Sequence, residues 1–396
     1  MKNVLIYCKR DVSPLMGGTE RITISLGNAL RETCGCKSFL SYTDDCVGFT
    51  PFPYDGKLKI TTGISTREVK DFVTKNSIGY IIIQGEFNRV KYFRSIFGNN
   101  KFLKIVFCYH FAPGWDVHFD IWMQTKKLWN SGGAIKKIES IVRFLYFFVS
   151  RPIKLARYRQ AYREVYELAD KVVLLSERFK EEYRRFSKLK DVSSIIGMPN
   201  MLSFNYFLSK QDVEKKRKVV LVVARFDEEQ KRISYLLKIW SMVKQDNRSD
   251  GWRLQLVAGG DDESRYRRYV IKNNIPDVSF EGRRDPIPFY RNAAIFAMTS
   301  RSEGWGLTLT EAQQNGVVPI AFDSFASLHD IIVPGISGCI VRNNDLAGFA
   351  DCMLELMCDE DRRRKLAANC IDYSRRFNSE VIAKRWQCVL EGLNKE

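Results

Sequence analysis

The sequence predicts an α/β protein built from two doubly wound parallel-sheet domains, on three observations. The chain has 396 residues, 45% hydrophobic and 28% charged, enough for two globular domains of ordinary size. Short apolar runs alternate with helical patterns along its length, as in repeated β-α units. One stretch, 294–322, reads AIFAMTSRSEGWGLTLTEAQQNGVVPIAF: a strand, a glycine-rich loop, a helix and a second strand.

In that stretch Ile295–Met298 is a short apolar run bounded by Thr299-Ser300-Arg301-Ser302. Glu303-Gly304-Trp305-Gly306 is too glycine-rich for a helix interior. From Leu307 a helical pattern places Leu307, Thr310, Glu311 and Gln314 on one face. Gly316 ends it, and Val317–Phe322 reads as a buried parallel strand. Ligands of open α/β sheets sit at the carboxyl ends of strands, where helix N-termini present free N–H groups. Gly304 and Gly306 would let the backbone approach a phosphate, and Glu303 and Glu311 frame the loop. Eight helical steps would separate these carboxylates by about 12 Å along the axis. A pair working as acid and base on one glycosidic bond stands about 5–9.5 Å apart. The spacing suits carboxylates that hold two ends of a long ligand, each accepting hydroxyl hydrogen bonds.

The motif Glu303-x7-Glu311, with its glycines and aromatic between, resembles the retaining GT-B glycosyltransferases of family 4, the glycosyl transferases group 1, of the bacterial surface-polysaccharide type. The resemblance implies two Rossmann-like doubly wound domains facing across a cleft, with a C-terminal helix crossing back to the first. It implies an acceptor-binding domain at 1–205, completed by 380–396, and a nucleotide-sugar domain at 206–379. It implies transfer of a sugar from a nucleoside diphosphate donor, a UDP-sugar or GDP-sugar, with retained configuration. Glu303 would hold the donor sugar's hydroxyls and Glu311 the nucleotide ribose. Gly304, Trp305, Gly306 and Leu307 would line the donor site. The leaving phosphate would take the acceptor's proton, so no protein nucleophile is expected. Neither a cofactor nor a metal is expected.

In chain order, Asn3–Cys8 is a strand, and Gly17-Gly18-Thr19-Glu20 opens a helix with Ile22, Leu26, Ala29 and Leu30 inward. The Gly17-Gly18 turn matches the family's N-terminal glycine loop near the donor diphosphate, and Glu20 fits its frequent G-G-x-E pattern. Ser38–Thr43 and Leu58–Thr62 read as strands, and Ser65–Asn76 as an amphipathic helix capped by Ser65. Tyr80–Ile83 is a buried strand and Val90–Phe97 a helix. Leu103–Tyr109 is an apolar strand with His110 at its carboxyl end, where such sheets bind ligands. The resemblance puts His110 beside the transferred sugar, and Pro113-Gly114-Trp115-Asp116 around the acceptor. Lys171–Leu175, Glu177–Phe186 and Ser194–Ile196 complete the first domain as strand, helix and strand. From Pro199 to about Arg217 the pattern lapses into a linker.

The second series begins at Val219–Val223, with Arg225 next and Lys231 before a helix at 233–245. An arginine fork and a lysine point charge at a strand's end suit a diphosphate. The pair matches the family's strand-Arg-x5-Lys clamp, although Ala224 stands where the family usually has glycine. Leu254–Val257, Arg265–Asn273 and Val278–Glu281 repeat β-α-β, and Pro286–Ala293 is a short helix. Leu328–Val333 and Leu346–Cys358 read as helices, with a turn and strand at 335–341 between them. Ile382, Trp386, Val389 and Leu393 form one stripe of a last helix.

The net charge of +17 admits nucleic acid, an anionic membrane surface or an anionic small ligand. No RNA- or DNA-binding signature is present, so nucleic acid is not an expected partner. A basic protein binding nucleic acid on a Rossmann scaffold, and a glycoside phosphorylase, remain the alternative functions. Ten cysteines without C-x-x-C, and no signal-like apolar run near the first residue, read as reduced thiols in the cytoplasm. Much of the charge lies between Lys126 and Arg185. In that region Trp122, Trp129, Ile138, Ile141, Val142, Phe144, Leu145, Phe147, Phe148 and Val149 accompany Lys126, Lys127, Lys136, Lys137, Arg143 and Arg151. This pattern fits an interfacial helix on an anionic membrane surface, the inner face of the plasma membrane. It equally fits a helix packed on its own domain. The expected partners are therefore a nucleotide sugar, a glycan or lipid-linked acceptor, and that membrane surface.

Overall fold

The structure is a computed structural model that describes residues 2–14, 17–115, 117 and 133–394. Asp116, Trp122, Lys126, Lys127 and Trp129, named above, lie outside the described residues, as do the side chains of Lys136, Arg143, Phe144, Phe147, Phe148 and Val149. The chain divides into two units: Met1–Met201 with Ser379–Glu396, and Leu202–Asn378.

Among the described residues the first unit holds seven strands: β1 (Asn3–Tyr7), β2 (Ser38–Tyr42), β3 (Lys57–Lys59), β4 (Ile78–Gln84), β5 (Lys104–Tyr109), β6 (Lys171–Leu174) and β7 (Ile195–Gly197). Their order is β3-β2-β1-β4-β5-β6-β7, and every pairing is parallel. The central strands are apolar almost throughout because helices cover both faces; β4 is buried at all seven positions. The helix Gly18–Cys34 packs Leu26, Ala29 and Leu30 against Val4, Ile6, Tyr80 and Ile82. The helix Ser379–Gly392 closes the same cluster with Ile382, Ala383, Trp386 and Leu390. The Thr66–Lys75 helix has the anticipated Ser65 cap, which the structure completes as a capping box, with Ser65 Oγ accepting from the Glu68 N–H at 3.1 Å.

The second unit holds β8 (Arg217–Arg225), β9 (Arg253–Gly259), β10 (Val278–Phe280), β11 (Ala293–Met298), β12 (Val318–Asp323) and β13 (Cys339–Arg342). The order is β10-β9-β8-β11-β12-β13, again all parallel. Both sheets reverse direction of growth between their first and fourth strands, the doubly wound pattern whose ligand crevice opens at that switch point. In the second unit the switch lies between the carboxyl ends of β8 and β11. Those ends deliver Arg225 and the Thr299–Gly306 loop.

Three elements differ from the sequence reading. Glu360–Ser374 is a helix that the pattern did not suggest. Its first turn is fully charged, and it buries only Leu366, Ala367, Cys370 and Ile371 before Ser374. A one-turn helix, Glu228–Lys231, which the pattern did not suggest, precedes the helix Ile233–Val243, and Lys231 closes that turn just ahead of the expected helix start. The apparent linker contains a 3-10 helix, Lys210–Lys215, with Val213 buried, and Gln314 donates to the Phe204 carbonyl at 2.8 Å.

Candidate active site

The loop after β11 is held by its neighbours. Arg232 lies at φ 49°, left-handed for a non-glycine residue, and is 4% exposed. Its guanidinium donates to the Thr299 and Ser300 carbonyls at 2.7 Å each, to Asn344 Oδ1 at 2.6 Å and to Asn343 Oδ1 at 3.0 Å. Burial pulls its pKa down to about 10, so it stays charged near neutrality. Thr299 Oγ1 donates back toward the Lys231 and Arg232 carbonyls. The Arg301 N–H donates to the Gln230 carbonyl at 2.7 Å, and Ser327 Oγ donates to the Gly304 carbonyl at 3.0 Å. The loop is thus set before any ligand arrives, the condition for electrostatic stabilisation without reorganisation.

Onto this frame the structure brings two expected residues together: Lys231 Nζ meets Glu303 Oε1 at 2.5 Å, with both side chains under a fifth exposed. Arg225 ends β8 with a mostly exposed side chain, and donates to Asp227 Oδ2 at 3.1 Å and Gln230 Oε1 at 3.2 Å. Gln230 also donates to the Ser302 carbonyl at 3.3 Å, so it links Arg225 to the loop. Gly306 caps the helix Leu307–Gln314 at φ 97°, and a Cβ there would stand 3.2 Å from Leu309 Cδ1. Both facts favour glycine at this position. Gly304 and Leu307 keep part of their surface.

Trp305 is turned inward. Its side chain is 3% exposed and packs edge-on against Phe377 at 5.2 Å between ring centroids. Apolar burial places the ring in the core. Glu311 is 1% exposed and accepts from the Tyr290 hydroxyl at 2.9 Å. The Glu311 carboxylate is thus already held by Tyr290.

In the first unit Gly17 caps the Gly18–Cys34 helix, and both glycines are exposed. A Cβ on Gly17 would lie 2.9 Å from Glu20 Oε2, so the Glu20 carboxylate folds over that helix start. His110 follows β5, as expected, and its Nε2 hydrogen-bonds Gln84 Oε1 at the end of β4. The residue keeps some surface, yet burial of the ring pushes its pKa down to about 4. The imidazole is neutral at physiological pH.

Sequence reasoning missed Arg232, Gln230, Tyr290 and Gln84. Arg232 had a signal in its place directly after Lys231, between a strand end and a helix, but it looked like one more of 63 lysines and arginines. The others depend on contacts far along the chain.

Two doubly wound units, with cations and a carboxylate gathered at the second switch point, define the GT-B architecture. Residues 217–359 match the family described as glycosyl transferases group 1. The amylovoran biosynthesis glycosyltransferase AmsD of Erwinia amylovora is 29% identical over 231 residues, covering 57% of this chain and 63% of that protein. The capsular polysaccharide biosynthesis glycosyltransferase CapM of Staphylococcus aureus is 28% identical over 156 residues, covering 37% and 40%. The chain therefore matches less than two thirds of the length of these relatives. Among solved structures, sucrose-phosphate synthase from Thermosynechococcus elongatus aligns with a TM-score of 0.73 at 17% identity over 99% of both chains. HepE of Anabaena in complex with UDP aligns with a TM-score of 0.72 at 14% identity, over 98% of this chain and 100% of that one. At such identities the likeness is one of fold.

Proposed function

We propose that this chain is a retaining glycosyltransferase that moves a sugar from a nucleoside diphosphate donor to a glycan or lipid-linked acceptor in surface polysaccharide or lipopolysaccharide assembly. The observation that carries this reading is the Lys231–Glu303 pair at the second switch point, 2.5 Å apart, beside the Gly306-capped helix. Arg225 and Lys231 supply positive charge for the leaving diphosphate. Glu303, once Lys231 turns to the phosphates, offers its oxygens to the donor sugar's hydroxyls. The UDP named with HepE, and the polysaccharide products named for AmsD and CapM, support a UDP-sugar donor and a surface-glycan product.

The acceptor is best presented at a cytoplasmic membrane surface. No helix of the described residues is long and apolar enough to cross a membrane. The helix Ala134–Leu168 exposes Ile135, Ile138, Val142 and Leu145, all near 60% or more, at spacings that align them on one face. Lys137, Arg151, Lys154 and Arg157 belong to the same helix. An apolar face with adjacent cations suits attachment to anionic lipid.

A thermal-shift screen against UDP-, GDP-, ADP- and CMP-sugars, followed by labelled-sugar transfer to lipid-linked glycan acceptors, tests the reading. A ligand of the folded state raises the melting temperature by mass action. One nucleotide series should stabilise the chain. Indifference to all four, with no transfer, overturns the proposal.

A further inference from the structure

The helices Ile233–Val243 and Glu263–Lys272 are successive crossovers, from β8 to β9 and from β9 to β10. The sheet grows in one direction through these strands, so right-handed crossovers lay both helices on the same face. Between them lies a cavity of about 320 Å³. Ser234 and Lys238 line it from one helix, and Arg265, Arg268, Tyr269 and Lys272 from the other. Its volume falls in the range of small-molecule sites. Arg265, Arg268 and Lys272 stand at i, i+3 and i+7, on one face of their helix and along about 10 Å of its axis.

The protein does not offset this charge itself. Lys238, Arg265, Arg268 and Lys272 are exposed, and no ion pair among the described residues engages any of them. The same helix does pair a cation away from the cavity: Arg267 meets Glu263 at 2.8 Å and lies over the Phe280 ring. Arg268 and Lys272, four residues apart, repel each other, which weakens the helix unless an anion joins them. The carboxylate that touches the cavity wall, Glu228, is already engaged. It accepts from the Ser234 N–H at 3.1 Å, from the Ser234 hydroxyl, and from the Tyr266 hydroxyl at 2.9 Å. Tyr266, also in the wall, is 1% exposed and packs edge-on against Phe226, so the side chain beneath the cations is fixed.

We propose that this cavity binds a polyanion carrying two or more phosphate groups, at a site separate from the switch point. Arg265 and Arg268 offer planar forks that match phosphate oxygens, and Lys238 and Lys272 offer point charges. A lone carboxylate would leave most of the four cations without a partner, whereas linked phosphates reach along the row. A soluble oligophosphate and the phosphate headgroup of a lipid share this chemistry. The site stands whether or not the chain transfers sugars.

The test uses the full chain with Arg225→Ala and Lys231→Ala, which removes the cations of the switch point. Calorimetric titration with tripolyphosphate at low salt should show one equivalent bound, more weakly as salt rises. Adding Arg268→Ser and Lys272→Ser should weaken this binding at least tenfold. Adding Arg267→Ser instead, which lowers the helix's charge outside the cavity, should change it less than twofold. Exposed substitutions of this kind scarcely affect folding, and a thermal melt of each variant checks it. Sedimentation with phosphatidic acid vesicles, on the same variants, separates the two sources. Loss of tripolyphosphate binding in the Arg268→Ser, Lys272→Ser chain assigns a soluble oligophosphate, and a loss seen only with vesicles assigns a lipid headgroup. Binding of both probes that survives those two substitutions, an equal loss in Arg267→Ser, or no binding of either probe overturns the proposal.

Discussion

Lys231 and Glu303, 72 residues apart in sequence, form an ion pair of 2.5 Å across the ends of β8 and β11. The pair means that the site neutralises its own lysine. In the proposed reaction a diphosphate would draw Lys231 away from Glu303 or share it, and in doing so would free the carboxylate for the sugar. Glu303→Gln should therefore lower turnover strongly while leaving nucleoside diphosphate affinity unchanged or slightly tighter. Lys231→Ala should weaken that affinity by about 1.5–3 kcal/mol, the scale of a hydrogen bond to a charged group. Calorimetric titration with the diphosphate, beside kcat for each variant, checks both. A glycosyl adduct on Glu303 seen by mass spectrometry would refute the hydroxyl-holding role.

Arg232 should matter more for the loop than for the ligand. Removing its guanidinium takes the charged donor from both the Thr299 and Ser300 carbonyls, and leaves Ser300 only the Ser324 hydroxyl. Arg232→Ala should cost about 3 kcal/mol or more in unfolding free energy, since two carbonyls lose a charged partner at once. Arg232→Lys should recover little, because one ammonium cannot reproduce the planar fork. Denaturant melts read by the fluorescence of Trp305 and Trp240 would report it.

His110 carries a pH signature. Its folded pKa lies near 4, below the ordinary 6.5, so the unfolded chain binds more protons in the interval between. Stability from this group is present in full above pH 6.5 and is lost as pH falls toward 4. The whole loss is about 3 kcal/mol. His110→Gln should flatten that part of the stability curve, measured by urea unfolding from pH 4 to 7. An unaltered slope would mean that the imidazole titrates normally in the folded chain.

The exposed face of the Ala134–Leu168 helix should seek anionic lipid. Each Lys or Arg close to such a surface adds about 1 kcal/mol, and the attraction fades with salt. Replacing Lys137, Arg151 and Lys154 by Ser should reduce sedimentation with phosphatidylglycerol vesicles at low salt. Ile138→Asp with Leu145→Asp should reduce it at any salt. If the wild-type chain ignores these vesicles, the acceptor is a soluble glycan.

Much of the site was legible because local chemistry dictated it. The apolar run before Thr299, the glycines at 304 and 306 and the helix from Leu307 each follow from nearest-neighbour rules, and the structure has all three. Arg225 and Lys231 were visible as cations just beyond a strand. The burial of Trp305 was not legible because the pattern shows an aromatic ring but not Phe377, 72 residues on, that receives it. Arg232 and Gln84 act through partners 26 to 112 residues away, and no periodicity encodes such distances. The helix Glu360–Ser374 escaped because its charged face outweighs its narrow apolar stripe.

The helix Ser379–Gly392 completes the first unit although the whole second unit precedes it in the chain. The order of synthesis and the order of folding must then differ. The second unit, an unbroken segment, can close as soon as it is made. The first emerges earlier yet waits, with Leu26, Leu30, Tyr80 and Ile82 short of partners until Trp386 and Leu390 arrive. A stop codon near residue 378 would spare the second unit's own sequence and leave the first unit unfinished, a natural substrate for chaperones and proteases.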